Sequence, residues 1–388
     1  MYEGAKAPFL GFNCIGEYSL NIYIDENIPY ARDFFSDHGD LYFFSGRDVC
    51  AEQLKDADVL LVRSITQVNK ALLHLNTRLQ FVGTATIGTD HIDLNYLQSR
   101  QIHFSSAPGC NKISVAEYIL SSLFVLAEKQ QFKLIDKCVA IVGAGNTGSA
   151  LYQRLNALGL HCKLYDPPLQ LSGDPRSFCS FNEVLNADII SLHVPKITEG
   201  EFPTWHMFDL SVLQKLSCKQ ILLNASRGEI IDNKALLVLA KKCLVPTLVL
   251  DVWENEPYIN RDLLKYVEIA TPHIAGYSLD GKARGTEMLY QAFCKCFSLQ
   301  IMHCATDFLA QAPLTNINLN KTLDISLCKA LMHLVYDVRR DDRLFRQMID
   351  QTNGFDTMRK NYNERRELST LKINSVIQQT QLLEALGL

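Results

Sequence analysis

The sequence predicts an α/β protein with two doubly wound parallel sheets and a small C-terminal α+β segment. Three observations carry this. Short runs rich in Ile, Leu and Val alternate with helical stretches over most of the 388 residues, as in parallel sheets buried on both faces. A glycine-rich turn joins one such run to a helix at 138–158. Beyond residue 300 the alternation stops, and charges cluster at 339–346 and 359–366.

Residues 1–19 read as an irregular extension. A first series places strands at 20–24, 59–63 and 79–82, with a helix at 27–35. Residues 113–129 form a long, strongly apolar helix. A second series places strands at 139–142, 162–165, 189–192, 221–224 and 247–251, each bounded by turn residues. A further helix covers 288–297, after Gly285. No internal repeat or low-complexity segment interrupts the chain.

Composition excludes several classes of function. The apolar share of 47% and charged share of 21% are those of a globular chain, not a disordered one. A net charge of −4 gives no electrostatic case for nucleic acid. The apolar run at 118–127 is too short to cross a bilayer and is interrupted by Ser121 and Ser122. The first twenty residues lack a basic region followed by an apolar core, so no signal peptide is read there. Twelve cysteines show no zinc-ligand or CxxC spacing. Reduced thiols in a cytoplasmic protein without a metal are the expectation.

The stretch Cys138-Val-Ala-Ile-Val-Gly143-Ala-Gly145-Asn146-Thr147-Gly148 reads strand, turn, helix. Gly143 allows the tight turn, Gly145 lets a pyrophosphate approach the backbone, and Gly148 lets helix and strand pack closely. The N–H groups and dipole of the helix start then hold the phosphates. The helix continues through Leu151, Leu155 and Leu158 to Gly159, a natural terminator. The next strand ends at Asp166, 18 residues after Gly148. A carboxylate there accepts ribose hydroxyls and repels a 2′-phosphate, which favours NAD over NADP.

Three later strands end in chemically active residues: Asn224-Ala-Ser226-Arg227, Asp251-Val-Trp-Glu-Asn-Glu256, and Thr271-Pro-His273-Ile-Ala-Gly276-Tyr277. Oxidising a secondary alcohol by hydride transfer needs a base for the hydroxyl proton, a fixed cation for the carboxylate, and an acid to orient the base. His273 suits the first role because imidazole titrates near neutrality. Arg227 suits the second through bidentate pairing, and Glu256 the third. Alone, Arg227 reads as a surface residue beside a turn, Glu256 as a loop acid and His273 as a satisfied buried histidine. Together, on successive strand ends, they form a catalytic trio.

This order of motifs, with 29 residues from Arg227 to Glu256 and 17 more to His273, resembles the D-2-hydroxyacid dehydrogenase family. The upstream stretches Gly83-Thr-Ala-Thr86-Ile-Gly88-Thr-Asp90 and Asn111-Lys-Ile-Ser-Val-Ala116-Glu117 resemble that family too. A narrower likeness lies in Leu61-Val-Arg63-Ser64, Ala107-Pro-Gly-Cys-Asn111, the run from His273 to Thr286, and the C-terminal stretches 333–342 and 355–367. These resemble the branch that oxidises 4-phospho-D-erythronate with NAD on the way to vitamin B6. The resemblance implies substrate contacts at Ser64, Thr86 and Tyr277, and cofactor contacts at Asp166, Ser226, Asp251 and Gly276. It also implies three domains: a split substrate domain (1–113 and 275–300), an inserted NAD-binding domain (114–274), and a C-terminal dimerisation domain (301–388) that ordinary family members lack. The active site is expected in the cleft between the first two, in a homodimer.

A substrate with a carboxylate and a phosphate needs two anion sites. Arg227 serves one; Arg63, Lys282 and Arg284 are candidates for the other. The arginine cluster at 339–346 reads as a solvated helix face. Two alternatives stay open: another enzyme of the family, acting on 3-phosphoglycerate or glycerate, and a non-catalytic NADH-sensing regulator that keeps the fold.

Overall fold

A computed structural model describes residues 19–375 and 380–387. The extension expected over 1–19 lies, but for residue 19, outside the described residues. The chain forms two compact units: residues up to Ser106 with Thr286–His303, and Ala107–Gly285 with the segment from Cys304 onward.

The first unit holds five strands: β1 (Leu20–Asp25), β2 (Gly39–Phe44), β3 (Val59–Val62), β4 (Phe81–Thr84) and β5 (His103–Ser105). Their order is β2-β1-β3-β4-β5, parallel throughout. The central strands β3 and β4 are buried at every residue, so they write continuous apolar runs. The edge strands β2 and β5 were not foreseen. β2 exposes Tyr42 and Phe43 and opens on Gly39-Asp40, which reads as a turn. One core packs Leu60, Val62 and Val82 against Leu73 and Leu97.

The second unit holds β6 (Cys138–Val142), β7 (His161–Tyr165), β8 (Ile189–Leu192), β9 (Ile221–Asn224), β10 (Thr247–Leu250) and β11 (Ile269–Ala270). The order β11-β10-β9-β8-β6-β7 is again all parallel. It reverses direction between β6 and β8, the point at which such sheets bind ligands. Five of these strands fall within one residue of expectation; β11, two residues long, was missed. The helix Lys112–Lys129 is buried at every position from Ser114 to Leu126, since it packs on the sheet and on the C-terminal segment alike. Cores lie on both faces of this sheet.

The helix expected at 288–297 runs from Leu279 to Cys296. Gly281 and Gly285 weigh against a helix in sequence, but the Ser278 hydroxyl accepts the Gly281 N–H at 2.9 Å and helps start it.

The C-terminal segment contains helices Ile325–Val335, Val338–Met348 and Gly354–Lys360 and a parallel pair, β12 (Asn316–Leu319) and β13 (Lys372–Ser375). From Cys304 onward it shares a compact unit with the six-stranded sheet. Leu331, Met332, Tyr336 and Leu368 join one core with Leu120, Leu123 and Phe124. The arginine cluster is also more than a solvated face. Arg346 donates to the carbonyls of Leu264 and Val267 at 3.2 and 2.6 Å, and Asp342 accepts the Ala270 N–H at the end of β11. Arg365, almost fully buried, donates to Glu117, Ser114 and Ala275, while Glu367 accepts from Arg284 and Ser278, each at 2.7 Å. Buried charges persist only when paired in this way. Among the described residues no helix is long and apolar enough to cross a membrane.

Candidate active site

The glycine turn follows β6 and opens the helix Asn146–Ala157. Gly143 has φ +91°, and a Cβ there would lie 2.6 Å from the His193 carbonyl oxygen. A Cβ at Gly148 would lie 1.9 Å from the Gly143 carbonyl oxygen, so helix and strand meet in a space only glycine leaves. At Gly145 a Cβ would meet nothing within 4 Å. Gly145 and Asn146 are exposed, and no side chain caps the helix start. Its first N–H groups therefore face open space, the arrangement that receives a phosphate.

Asp166 ends β7 beside this turn. One oxygen accepts the Ala144 N–H at 2.8 Å and the other caps the next helix through the Leu169 N–H at 3.1 Å. The carboxylate is thus held at the turn. Thr147 is half-buried on the first turn of the helix. A Cβ at Gly276 would lie 2.1 Å from Asn111 Nδ2, so the loop after His273 packs on the start of the long helix.

Three neighbouring strands, β9, β10 and β11, deliver the trio. After β9, Asn224 accepts from both the Ser226 N–H and hydroxyl and donates to the Arg227 carbonyl at 2.9 Å. This locks the turn bearing Arg227, whose Nη1 donates to the Ser226 carbonyl at 2.8 Å. The next residue, Gly228, would place a Cβ 2.0 Å from the Trp253 backbone, so the arginine turn lies directly against the loop that carries Glu256. Glu256 Oε1 accepts the Trp253 N–H at 2.9 Å, and Oε2 contacts His273 Nδ1 at 2.7 Å.

Burial pushes the Glu256 carboxyl up, but the His273 imidazole, with Arg359 and the Trp253 N–H behind it, outweighs burial and holds it below its usual range. Glu256 is therefore a carboxylate and can only accept. The proton of the neutral imidazole sits on Nδ1, which leaves the Nε2 lone pair for a substrate.

His273 has φ +59°, a conformation that costs a non-glycine residue of order 1–3 kcal/mol. The cost is met by Asp251, which is buried. Its Oδ1 accepts the Thr271 hydroxyl at 2.6 Å and the Ile274 N–H at 2.8 Å, and its Oδ2 accepts the Ala275 N–H at 2.9 Å. The carboxylate that the resemblance assigns to the cofactor thus also fastens the histidine loop. Burial pushes the Asp251 carboxyl up, while His273 and these donors oppose it. The Trp253 indole adds a bond to the Thr271 carbonyl at 2.9 Å.

The substrate residues implied by the resemblance are divided between the units. Ser64 is exposed after β3, and Thr86, after β4, donates to the Gly88 carbonyl at 2.8 Å; both belong to the first unit. Tyr277 belongs to the second, edge-on to Tyr362 with ring centroids 5.7 Å apart. Sequence reasoning missed Arg359, whose field reaches Glu256; within a charged run nothing set it apart from its neighbours. It also missed the group His206, Asp232 and Glu254, whose potential ligand atoms lie within 4.8 Å of one another. Here His206 Nε2 contacts Glu254 at 2.7 Å and Asp232 caps the helix Asn233–Ala240, so the group ties loops together.

Residues 124–275 match the D-isomer specific 2-hydroxyacid dehydrogenase, NAD binding domain. Residues 308–387 match a domain of unknown function (DUF3410). The chain is 68% identical over 368 residues to an erythronate-4-phosphate dehydrogenase of Psychromonas ingrahamii, covering 95% of this chain and 96% of the relative. It is 48% identical to an Escherichia coli protein of the same name, over 91% and 94% of the two chains. Among solved structures, a D-lactate dehydrogenase from Aquifex aeolicus complexed with NAD and lactic acid superposes with a TM-score of 0.58 at 25% identity, over 72% of this chain and 95% of that one.

Proposed function

We propose, for a chain that belongs to the erythronate-4-phosphate dehydrogenase branch of the D-isomer specific 2-hydroxyacid dehydrogenases, an NAD-dependent oxidation of 4-phospho-D-erythronate to (R)-3-hydroxy-2-oxo-4-phosphooxybutanoate, a step of vitamin B6 biosynthesis. The observation that carries it is the Glu256–His273 pair at 2.7 Å on the strand end next to the arginine turn.

The residues present fit NAD: an open glycine face at Gly145, the uncapped helix start at Asn146 and Thr147, the close packing at Gly143 and Gly148, and Asp166 beside them. We assign Ser226, Asp251 and Gly276 to the same cofactor. When bound, NAD accepts the hydride that leaves C2. Arg227 holds the substrate carboxylate through paired N–H donors and draws electron density toward the forming carbonyl. His273 Nε2 takes the hydroxyl proton as the C2–H bond breaks. Glu256 keeps the imidazole in the tautomer that can accept it and then stabilises the imidazolium. Ser64, Thr86 and Tyr277 are assigned to the substrate on the strength of the family resemblance, and residues 301–388 to a homodimer contact on the same ground.

The test follows NADH fluorescence with 4-phosphoerythronate and, separately, with 3-phosphoglycerate. Turnover of the first is expected to be the faster. Faster use of 3-phosphoglycerate overturns the substrate assignment, and NADH binding without turnover of either favours a sensor. Light scattering checks the dimer; a monomer at micromolar concentration refutes it.

A further inference from the structure

The reaction above leaves the substrate phosphate without a partner, and the structure narrows the candidates. Arg284 is occupied: its Nε donates to the Cys110 carbonyl at 2.9 Å and its Nη2 to Glu367 at 2.7 Å. Arg63 donates to the Asn27 carbonyl at 3.1 Å, in the first unit. Lys282 stands beside the histidine loop, its Nζ 4.6 Å from the centre of the Tyr277 ring.

The same ring carries a second cation, supplied by the C-terminal segment. The guanidinium carbon of Arg359, on the helix Gly354–Lys360, lies 5.8 Å from the Tyr277 centroid, and its side chain hydrogen-bonds Tyr277. Tyr277 is four residues beyond His273. The carboxylates whose fields reach Arg359 are Glu256 and Asp356, and the Glu256 oxygens already serve His273 and the Trp253 N–H. Arg359 Nε is fully buried with no hydrogen-bond acceptor. Two positive charges about one ring beside the histidine loop raise the local positive potential, which favours an anionic ligand.

We propose that Lys282 and Arg359, gathered on Tyr277, bind the phosphate of the 2-hydroxyacid substrate. This deepens the reaction proposed above and rests on it. A phosphate monoester carries a charge of about −1.5 to −2 at neutral pH, which two cations match and one does not. The C-terminal segment is then a specificity element of the site within its own chain.

The test uses Arg359→Met and Lys282→Met in the full chain. Each is expected to raise the KM for 4-phosphoerythronate by roughly tenfold to a hundredfold, the range of one charge-assisted hydrogen bond, with NADH affinity kept and, in Lys282→Met, kcat little changed. Inorganic phosphate, competitive against the substrate in the wild type, should weaken as an inhibitor by the same factor, and Arg359→Lys should recover part of the loss. Unchanged KM and unchanged phosphate inhibition in both variants overturn the proposal. So does an equal loss of affinity for unphosphorylated D-erythronate as a competitor. If Arg359→Met does not fold, Lys282→Met alone decides. Calorimetric titration of the NADH-bound protein with inorganic phosphate reads the site even if 4-phosphoerythronate is not turned over. That failure would sink the reaction, whereas phosphate binding retained in both variants would sink this site.

Discussion

The two ends of the six-stranded sheet's ligand edge are built by opposite means. Beside β6 and β7, the turn is shaped by missing atoms: Gly143 and Gly148 leave the only space in which strand, carbonyl and helix can meet. Beside β10 and β11, the histidine loop is shaped by hydrogen bonds: three onto Asp251, one from Trp253, two onto Glu256. Steric construction tolerates no added atom and is indifferent to charge. Polar construction tolerates a change of shape better than a change of charge or proton count.

The largest effect is expected where polar construction meets chemistry. Arg227→Ala and His273→Ala should each lower turnover by on the order of 10²–10³-fold or more, with NADH affinity intact because the glycine end is untouched. Full activity in either would remove that residue from the trio. The second prediction concerns His193, whose backbone lies against Gly143. Burial holds its imidazole down at about 4. The unfolded chain therefore binds the proton first on acidification. The contribution of His193 is whole above about pH 6.5 and is lost as pH falls toward 4, about 3 kcal/mol in all. His193→Gln should flatten urea-unfolding stability across that window; an unaltered pH slope would mean that the steric end has no pH-sensitive support. Third, Gly148→Ala should cost about 1–3 kcal/mol, the range of overpacking, and weaken NADH at every pH. A neutral thermal shift would show that the turn has slack. Smallest, Asp166→Ala should weaken NAD and narrow its advantage over NADP by about tenfold, one charge-assisted bond; a fixed ratio would detach the carboxylate from the ribose.

The same contrast explains what could be read in advance. The strands β6, β8 to β10, β3 and β4 are buried almost throughout, so the sequence spells them as nearly unbroken apolar runs, and the residues at their ends stand out; β7 is a half-exposed edge, found because it follows the glycine turn and its helix. The edges β2, β5 and β11 are short or half-exposed and leave no such run. Glu256 and His273 were legible because their spacing follows strand ends. The work of Asp251 in holding a strained histidine was not, since which backbone N–H groups converge on one carboxylate is settled by tertiary packing. Arg359 and Arg346 sit in charged stretches that resemble solvated faces, and only their contacts with Tyr277 and the 264–267 carbonyls set them apart.

The helix Lys112–Lys129 offers apolar side chains to the sheet and to residues past 304 at once. A chain cut back to the length of ordinary relatives would present Leu120, Leu123 and Phe124 to water, a greasy stripe prone to self-association. What looks like an addition at the tail has thus become an organ the body cannot shed: its loss would be selected against through precipitation before catalysis was ever put to the test.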